Sequence, residues 1–398
     1  MNFVFISPHF PLSYWNFCDR LKSRGVNVLG IGDQPYDTLP NEVKNSLTEY
    51  YYVNNMMNYD EMVRACGFFT HKYGKIDWLE SNNEFWLNLD ARLRSDFNIT
   101  SGVKADFIEN YQNKELMKKF YAAAGVATAR CHNVDTYENG KAFIDECGYP
   151  VVVKPVVGVG AAETYKLSND DDLKHFYATK PDVPYLMEEF VYGDLISFDG
   201  IVNQDGEVIF CTNHEFPIQI MDVVNEGKSV CYWGMKDIPT DLFEKGSAVL
   251  KSFGVKGRFF HCEYFRLTQA KKGLGEVGDI VGLEVNMRPP GGYTPDMMNF
   301  GDDVDVYSIW ADMICYNIKP EPNLHKKYVC VNVGRRDHFQ YKHSHEDVMR
   351  TYANHMVMQL RMPEVLSGAM GNEVYFARFK SMEEVHEFCN YVMGKNFI

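Results

Sequence analysis

The stretch Gly282-Leu-Glu-Val-Asn-Met-Arg-Pro-Pro-Gly-Gly292 sets a carboxylate, an amide and a guanidinium at every second position. Read as a strand, its period of two turns Glu284, Asn286 and Arg288 to one face and Leu283, Val285 and Met287 to the other. A carboxylate beside an amide oxygen suits a hard cation such as Mg2+, and a guanidinium suits a phosphate or an anionic transition state. The same alternation also describes an edge strand with one wet face. Two prolines and two glycines then stop the strand.

More chemistry lies upstream. In Phe259-Phe-His-Cys-Glu-Tyr-Phe265, His261 and Glu263 share a face, and antiparallel pairing would bring Glu263 within reach of Glu284. Gly148-Tyr-Pro-Val-Val-Val-Lys-Pro-Val-Val-Gly-Val-Gly-Ala-Ala162 ends a valine-rich strand on Lys154. Lysine is seldom buried unless it meets an anion, and the N–H groups of the glycine loop can approach a phosphate. The loop lacks the Gly-Lys-Ser/Thr of a Walker motif, and a plain hairpin turn is its other reading. Lys114 sits on a helix with an Asn113 cap and a Gly125 stop, where lysines are ordinarily solvated.

The elements that must position these residues follow from pattern. Residues 3–6 and 26–31 flank a helical run through Trp15, Phe17, Cys18 and Leu21, a strand–helix–strand unit of a parallel sheet. It has no Gly-x-Gly-x-x-Gly turn, which argues against a dinucleotide site. A strand ending near Glu80 puts Glu80, Asn82, Asn83 and Glu84 where such sheets bind ligands, though the four read equally well as helix caps and loop residues. Asp90, Arg92 and Arg94 read as surface charges. Residues 197–202 pair with 208–211 across Asn203-Gln-Asp-Gly206 as a hairpin. The Lys- and Gly-rich run through Lys271, Lys272, Gly273 and Gly275 reads as an exposed loop. Past Pro320, strands at 328–333 and 373–379 and helices at 347–360 and 382–393 make a small α/β cap. Its Arg335, Arg336, His338, His343 and His345 read as solvated surface.

Composition narrows the classes. With 398 residues, the chain is long enough for two to four lobes. Hydrophobic content of 45% with 14% aromatics excludes a disordered chain. A net charge of −14 argues against a nucleic-acid or anionic-membrane surface, and no apolar run reaches membrane-spanning length. No basic n-region opens the sequence, and the ten scattered cysteines never form Cys-x-x-Cys, so a cytoplasmic protein with reduced thiols is expected.

Lys114, Lys154 with its glycine loop, Met187-Glu-Glu-Phe-Val191, Glu263 and Glu284-x-Asn286-x-Arg288 occur in one order. Together they resemble the ATP-grasp superfamily, the fold of biotin carboxylase, D-alanine–D-alanine ligase and carbamoyl phosphate synthetase. The resemblance covers roughly residues 102–315. It implies an α/β (α+β) chain with a Rossmann-like pre-ATP-grasp domain at 1–101 and a two-lobed ATP-grasp domain at 102–318, its lobes 102–183 and 184–318. A small α/β C-terminal subdomain at 319–398 would follow.

The resemblance also implies roles. Lys114 and Lys154 would hold the ATP phosphates beneath a closing loop that includes Gly158, Val159 and Gly160. Glu188, Glu189, Phe190 and Val191 would be the adenine hinge, and Asp194 would meet the ribose. Glu263, Glu284 and Asn286 would bind Mg2+ or Mn2+, and Arg288, catalytic together with Lys154, would stabilise an acyl phosphate and the tetrahedral intermediate after it. Glu80, Asn82, Glu84, Gly291 and Gly292 would line the acceptor pocket. The sequence departs from the family pattern in three places: Asn113 replaces an Asp, Asp194 replaces a Glu, and the loop has no serine and little basic charge. The activity implied is an ATP-dependent carboxylate–amine ligase for small molecules, releasing ADP and phosphate, with a homodimer as the family expectation. A phosphotransferase, a carboxylase subunit or a non-catalytic nucleotide-binding module are the other readings, the last weakened because Glu263, Glu284, Asn286 and Arg288 are all present.

Overall fold

A computed structural model describes residues 1–158, 163–218, 223, 227–320 and 327–394. Three sheets organise it. Strands β1 (Asn2–Ile6), β2 (Asn27–Gly32), β3 (Glu49–Tyr52) and β4 (Trp78–Glu80) are parallel, in the order β3-β2-β1-β4. β1 is apolar on both faces because helices cover both, as parallel sheets require. Phe3 and Phe5 pack towards Phe17 and Trp310, whereas Val4 and Ile6 pack towards Leu29 and Phe69. Trp310, on the helix Val306–Tyr316, stands 5.6 Å from Phe3 and 5.0 Å from Phe17 ring to ring, which fastens this sheet to the later part of the chain.

The second sheet is antiparallel, with β5 (Cys131–Asn133), β6 (Val151–Pro155), β7 (Tyr165–Leu167) and β8 (Tyr185–Glu189) in the order β5-β8-β6-β7. Alternation decides its faces. Val151, Val153 and Met187 meet Ile144, Leu173 and Phe176 of two covering helices, and that leaves Lys154 and Glu188 on the opposite face.

The third sheet has nine strands. It comprises β9 (Gly193–Val202), β10 (Val208–Thr212), β11 (His214–Phe216), β12 (Val230–Gly234), β13 (Arg258–Leu267), β14 (Ile280–Asn286), β15 (Val329–Arg335), β16 (Met356–Arg361) and β17 (Glu373–Phe379). Its order is β14-β13-β9-β11-β12-β15-β17-β16, with β10 paired to β9 as the hairpin expected from sequence. The C-terminal strands continue this sheet through the β12–β15 pairing. No helix among the described residues is long and apolar enough to cross a membrane.

Two local expectations need correction. Residues 347–360 are not one helix: His345–Thr351 is helical, and Met356–Arg361 is β16, paired with β17. Short apolar runs of this kind fit either period, and the open edge of β17 selects the strand. Asp90 and Arg94 are not surface charges, although Arg92 is exposed. Arg94 is fully buried and donates to the carbonyls of Leu79 (2.9 Å) and Val103 (2.8 Å) and to Glu80 Oε2 (2.8 Å). Asp90 accepts from the Ser81 N–H (2.9 Å) and hydroxyl (2.6 Å).

Burial, reinforced by neighbouring Glu80, pushes the Asp90 carboxyl up to about 7. The fold therefore holds a proton that the unfolded chain releases near pH 4. The stability this contributes is fully present below the unfolded carboxylate range and falls as pH rises towards 7. Asp90→Asn, which cannot ionise, should therefore gain stability relative to the wild type between pH 4 and 7. Urea unfolding across that window checks this, and a difference that does not vary with pH would contradict it.

Candidate active site

A cavity of about 510 Å³ draws its walls from the second and third sheets and from the segments that follow β1 and β4 of the first. At its centre, antiparallel register sets Glu263 of β13 directly opposite Glu284 of β14, and His261 opposite Asn286. Burial pushes Glu263 up, His261 pulls against that, and Glu284 adds to the rise, to about 7. Glu284 goes the other way: burial opposes ionisation, but Lys114 and then Lys154 hold it down at about 2. The facing carboxylates are thus not both charged without a further cation. Lys114 Nζ is 3.3 Å from Glu284 Oε2 and donates to the Gly158 carbonyl at 2.8 Å. Asn286 Nδ2 donates to Glu284 Oε1 at 3.3 Å, and Arg288 Nη2 donates to Asn286 Oδ1 at 3.2 Å. Arg288 Nε also faces Glu84 Oε2 at 3.4 Å.

Next along the wall, Glu188 lies between Lys154 and Lys118, 2.6 Å from each ammonium. Burial would raise this carboxyl, yet Lys154 and Lys118 hold it at about 2. Burial would likewise lower Lys154, but Glu188 and then Glu284 keep it above the usual lysine range. Lys118 stands one helical turn beyond Lys114 on the helix Lys114–Ala123, so both ammoniums leave the same helix face. Glu189 turns instead to Arg130 (2.8 Å) and Lys271 (3.0 Å), and Lys271 also donates to the Phe190 carbonyl at 2.9 Å. Lys271 is therefore a brace for the segment 189–190 rather than a free loop charge.

A buried group completes the floor. Asp199 accepts from His261 Nδ1 at 2.5 Å, pairs with His214 Nδ1 at 2.6 Å, and accepts a further hydrogen bond from Ser197. Burial opposes charge on Asp199, but His261 and His214 together outweigh it and hold the carboxyl far below the usual range. His261 Nε2 is 3.7 Å from Glu263 Oε1, which links this cluster to the facing carboxylates. Asp199, His214 and Lys118 were not singled out from sequence. For Lys118 the signal was its helical spacing from Lys114.

The cavity walls include Lys114, Lys154, Gly158, Glu188, Glu189, Phe190, Val191, Glu263, Glu284, Asn286 and Arg288, with Glu84, Gly291 and Gly292. Other expected site residues stand elsewhere. Glu80 is committed to Arg94, with Arg258 at 3.5 Å, and ties the first sheet to the third. Asn82 is buried with a left-handed backbone, φ 54°, and its carbonyl accepts from the Tyr14 hydroxyl. Asp194 is exposed at the start of β9 and does not line the cavity, whereas Leu195 does. Val159 and Gly160 lie outside the described residues. Arg335 and Arg336 are buried, not solvated: Arg335 Nε donates to the Val392 carbonyl, and Arg336 donates to the carbonyls of Lys228, Ser367 and Gly368.

A family profile described as the ATP-grasp domain matches residues 112–259. The chain has the ATP-grasp fold. The matched span holds the helix with Lys114 and Lys118, β6 with Lys154, β8 with Glu188, and β9 with Asp199. The crystal structure of the L-amino acid ligase from Bacillus licheniformis shares the ATP-grasp fold, with a TM-score of 0.72 at 14% identity over 98% of this chain and 96% of that one. The N5-carboxyaminoimidazole synthetase from Staphylococcus aureus does so at 0.68, 13%, 98% and 96%. In sequence, the L-arginine-specific L-amino acid ligase of Bacillus subtilis is 23% identical over 268 residues, 64% of this chain and 60% of that protein. The D-alanine–D-alanine ligase of Geobacillus thermodenitrificans is 29% identical over 210 residues, 50% and 56% respectively. The chain thus spans less than two thirds of these curated relatives.

Removing the charge at Glu188 would leave buried Lys154 and half-buried Lys118 without the carboxylate between them. Glu188→Gln should therefore cost about 3–5 kcal/mol of stability at neutral pH, read by denaturant unfolding. Wild-type stability in that variant would contradict this account of the wall.

Proposed function

We propose that the protein is an ATP-dependent carboxylate–amine ligase working through an acyl phosphate. The observation that carries the reading is the register of β13 on β14, which gathers Glu263, Glu284 and Asn286 between the Lys114 and Lys154 ammoniums and Arg288. The lysines meet the phosphates of ATP, and the 188–191 segment receives adenine. A carboxylate oxygen of the first substrate attacks the γ-phosphorus, the bond to ADP breaks, and an acyl phosphate forms. The amine nitrogen of the second substrate then attacks the acyl carbon. Arg288 neutralises the developing oxyanion, the C–O bond to phosphate breaks, and the amine gives up a proton. Such a site works by positioning and by charge neutralisation in a partly dry cavity.

The donor set fits a hard divalent ion. Glu263 and Glu284 face each other, which is costly unless a proton or a cation sits between them, and Asn286 adds an amide oxygen. Among the described residues no cluster of three or more His, Cys, Asp or Glu is placed to hold a metal alone, in keeping with an ion that arrives with phosphate oxygens as further ligands. Glu263, Glu284 and Asn286 would hold Mg2+ there, and the ion would supply positive charge to offset that of the phosphates. On the substrate side, Glu84 Oε2 is buried and, among the described residues, has no hydrogen-bond partner beyond its 3.4 Å approach to Arg288. An α-ammonium group beside that carboxylate, with the α-carboxylate at Arg288, describes an amino acid.

ATP with Mg2+ and a pool of amino acids should yield ADP and phosphate, dependent on the pool and abolished by chelation. Glu284→Ala should lower the rate by about a hundredfold or more. AMP and pyrophosphate as products, or full activity in the variant, would overturn the reading.

A further inference from the structure

The cavity has a second end that the phosphate chemistry does not use. Beyond Arg288 its walls include, among the described residues, the uncharged side chains of Phe216, Val230, Tyr232, Leu366, Ala369 and Met370. Tyr232 shows only its ring here, because its hydroxyl pairs with Thr294 Oγ1 at 2.9 Å and its face stacks on Phe216 at 5.2 Å. Leu366, Ala369 and Met370 come from the helix Glu364–Met370, which the sequence reading did not foresee. Arg336 fixes that helix by donating to the carbonyls of Ser367 and Gly368 while also holding the Lys228 carbonyl.

This end is joined to the reaction centre. Gly292 has φ 62°, and a Cβ there would stand 2.1 Å from Met370 Sδ, so the helix rests on the turn that follows Arg288. At the mouth, two large apolar side chains that also line the cavity remain in water: Phe85, 64% exposed, on one wall and Val365, 74% exposed, on the other. An apolar compartment of small-molecule size with convergent polar groups at one end takes a ligand built the same way.

We infer that this compartment is the side-chain subsite for the substrate activated at Arg288, and that it selects an amino acid with an uncharged apolar side chain. The inference rests on the ligase reading above and adds the substrate class. Glu84 and Arg288 take the ammonium and carboxylate, and the side chain lies against Tyr232, Leu366 and Ala369. A charged side chain would lose its hydration against these apolar side chains.

Hydroxylamine isolates the activated substrate, since it displaces phosphate from the acyl phosphate to leave a hydroxamate and needs no natural amine. Single amino acids with ATP, Mg2+ and hydroxylamine should give hydroxamate with leucine, methionine or phenylalanine at a kcat/KM about tenfold or more above aspartate, glutamate, lysine or arginine. Ala369→Phe should fill the compartment, cutting kcat/KM for phenylalanine about tenfold or more while sparing alanine. Leu366→Asp should move preference towards lysine and arginine. Thermal melting checks that both variants fold, and both sites are at least partly exposed. Charged side chains favoured by the wild type, or an unchanged profile in both variants, would overturn the subsite and leave the ligase reading standing. No hydroxamate from any amino acid, with or without a charged side chain, would overturn both.

Discussion

Two carboxylates held opposite each other in a buried site are the constraint on which the rest of this structure depends. Glu263 and Glu284 are register partners, and strand pairing, not loop flexibility, keeps them together. A slip of one residue would send one of them to the far face of the sheet. The pair is tolerated because burial and Glu284 raise the Glu263 carboxyl, while Lys114 and Lys154 hold Glu284 ionised and Arg288 and His261 approach from the other side. Three of the four cations are in turn held by another acid: Lys154 by Glu188, Arg288 by Glu84 and His261 by Asp199. Charge is therefore balanced in alternating shells outwards from one pair, as the proposed binding of a polyanion with a metal ion would need.

The scaffold keeps those shells in place across the whole chain. The third sheet runs from the carboxylate-bearing β14 at one edge to β16 at the other. Its far strands lead to the helix Glu364–Met370, which returns to rest on Gly292 beside Arg288. The first sheet is tied in by apolar packing around Trp310 and by the buried Glu80–Arg94–Arg258 group. Residues far apart in sequence thus close opposite ends of one cavity: Lys114 and Lys154 at one end, apolar side chains at the other, and Arg288 between them.

Much of the centre was legible because its signals are local. The alternation of Glu284, Asn286 and Arg288, the HxE spacing of His261 and Glu263, and a lysine ending a valine strand each fit within one element, and their period gives the face. What sequence missed was made by contact between elements. Lys118 matters through Glu188, which lies on another strand; Asp199 matters because β9 lies between β11 and β13, bringing two histidines to one carboxylate. Asp90, Arg94, Arg335 and Arg336 looked like surface because charge usually is, and their partners, several of them backbone carbonyls, leave no trace in composition. β16 was read as helix for a related reason: a short apolar run takes the period of the neighbour that pairs with it, here β17.

The central claim is that this site activates a carboxylate by phosphorylating it. Its most direct test is to supply an accepted amino acid with both carboxyl oxygens labelled with ¹⁸O and to analyse the inorganic phosphate by mass spectrometry. An acyl phosphate requires one labelled oxygen to leave with phosphate in each turnover, and that transfer is the predicted result. Phosphate free of label, with ATP consumed and the amide formed, would contradict the account.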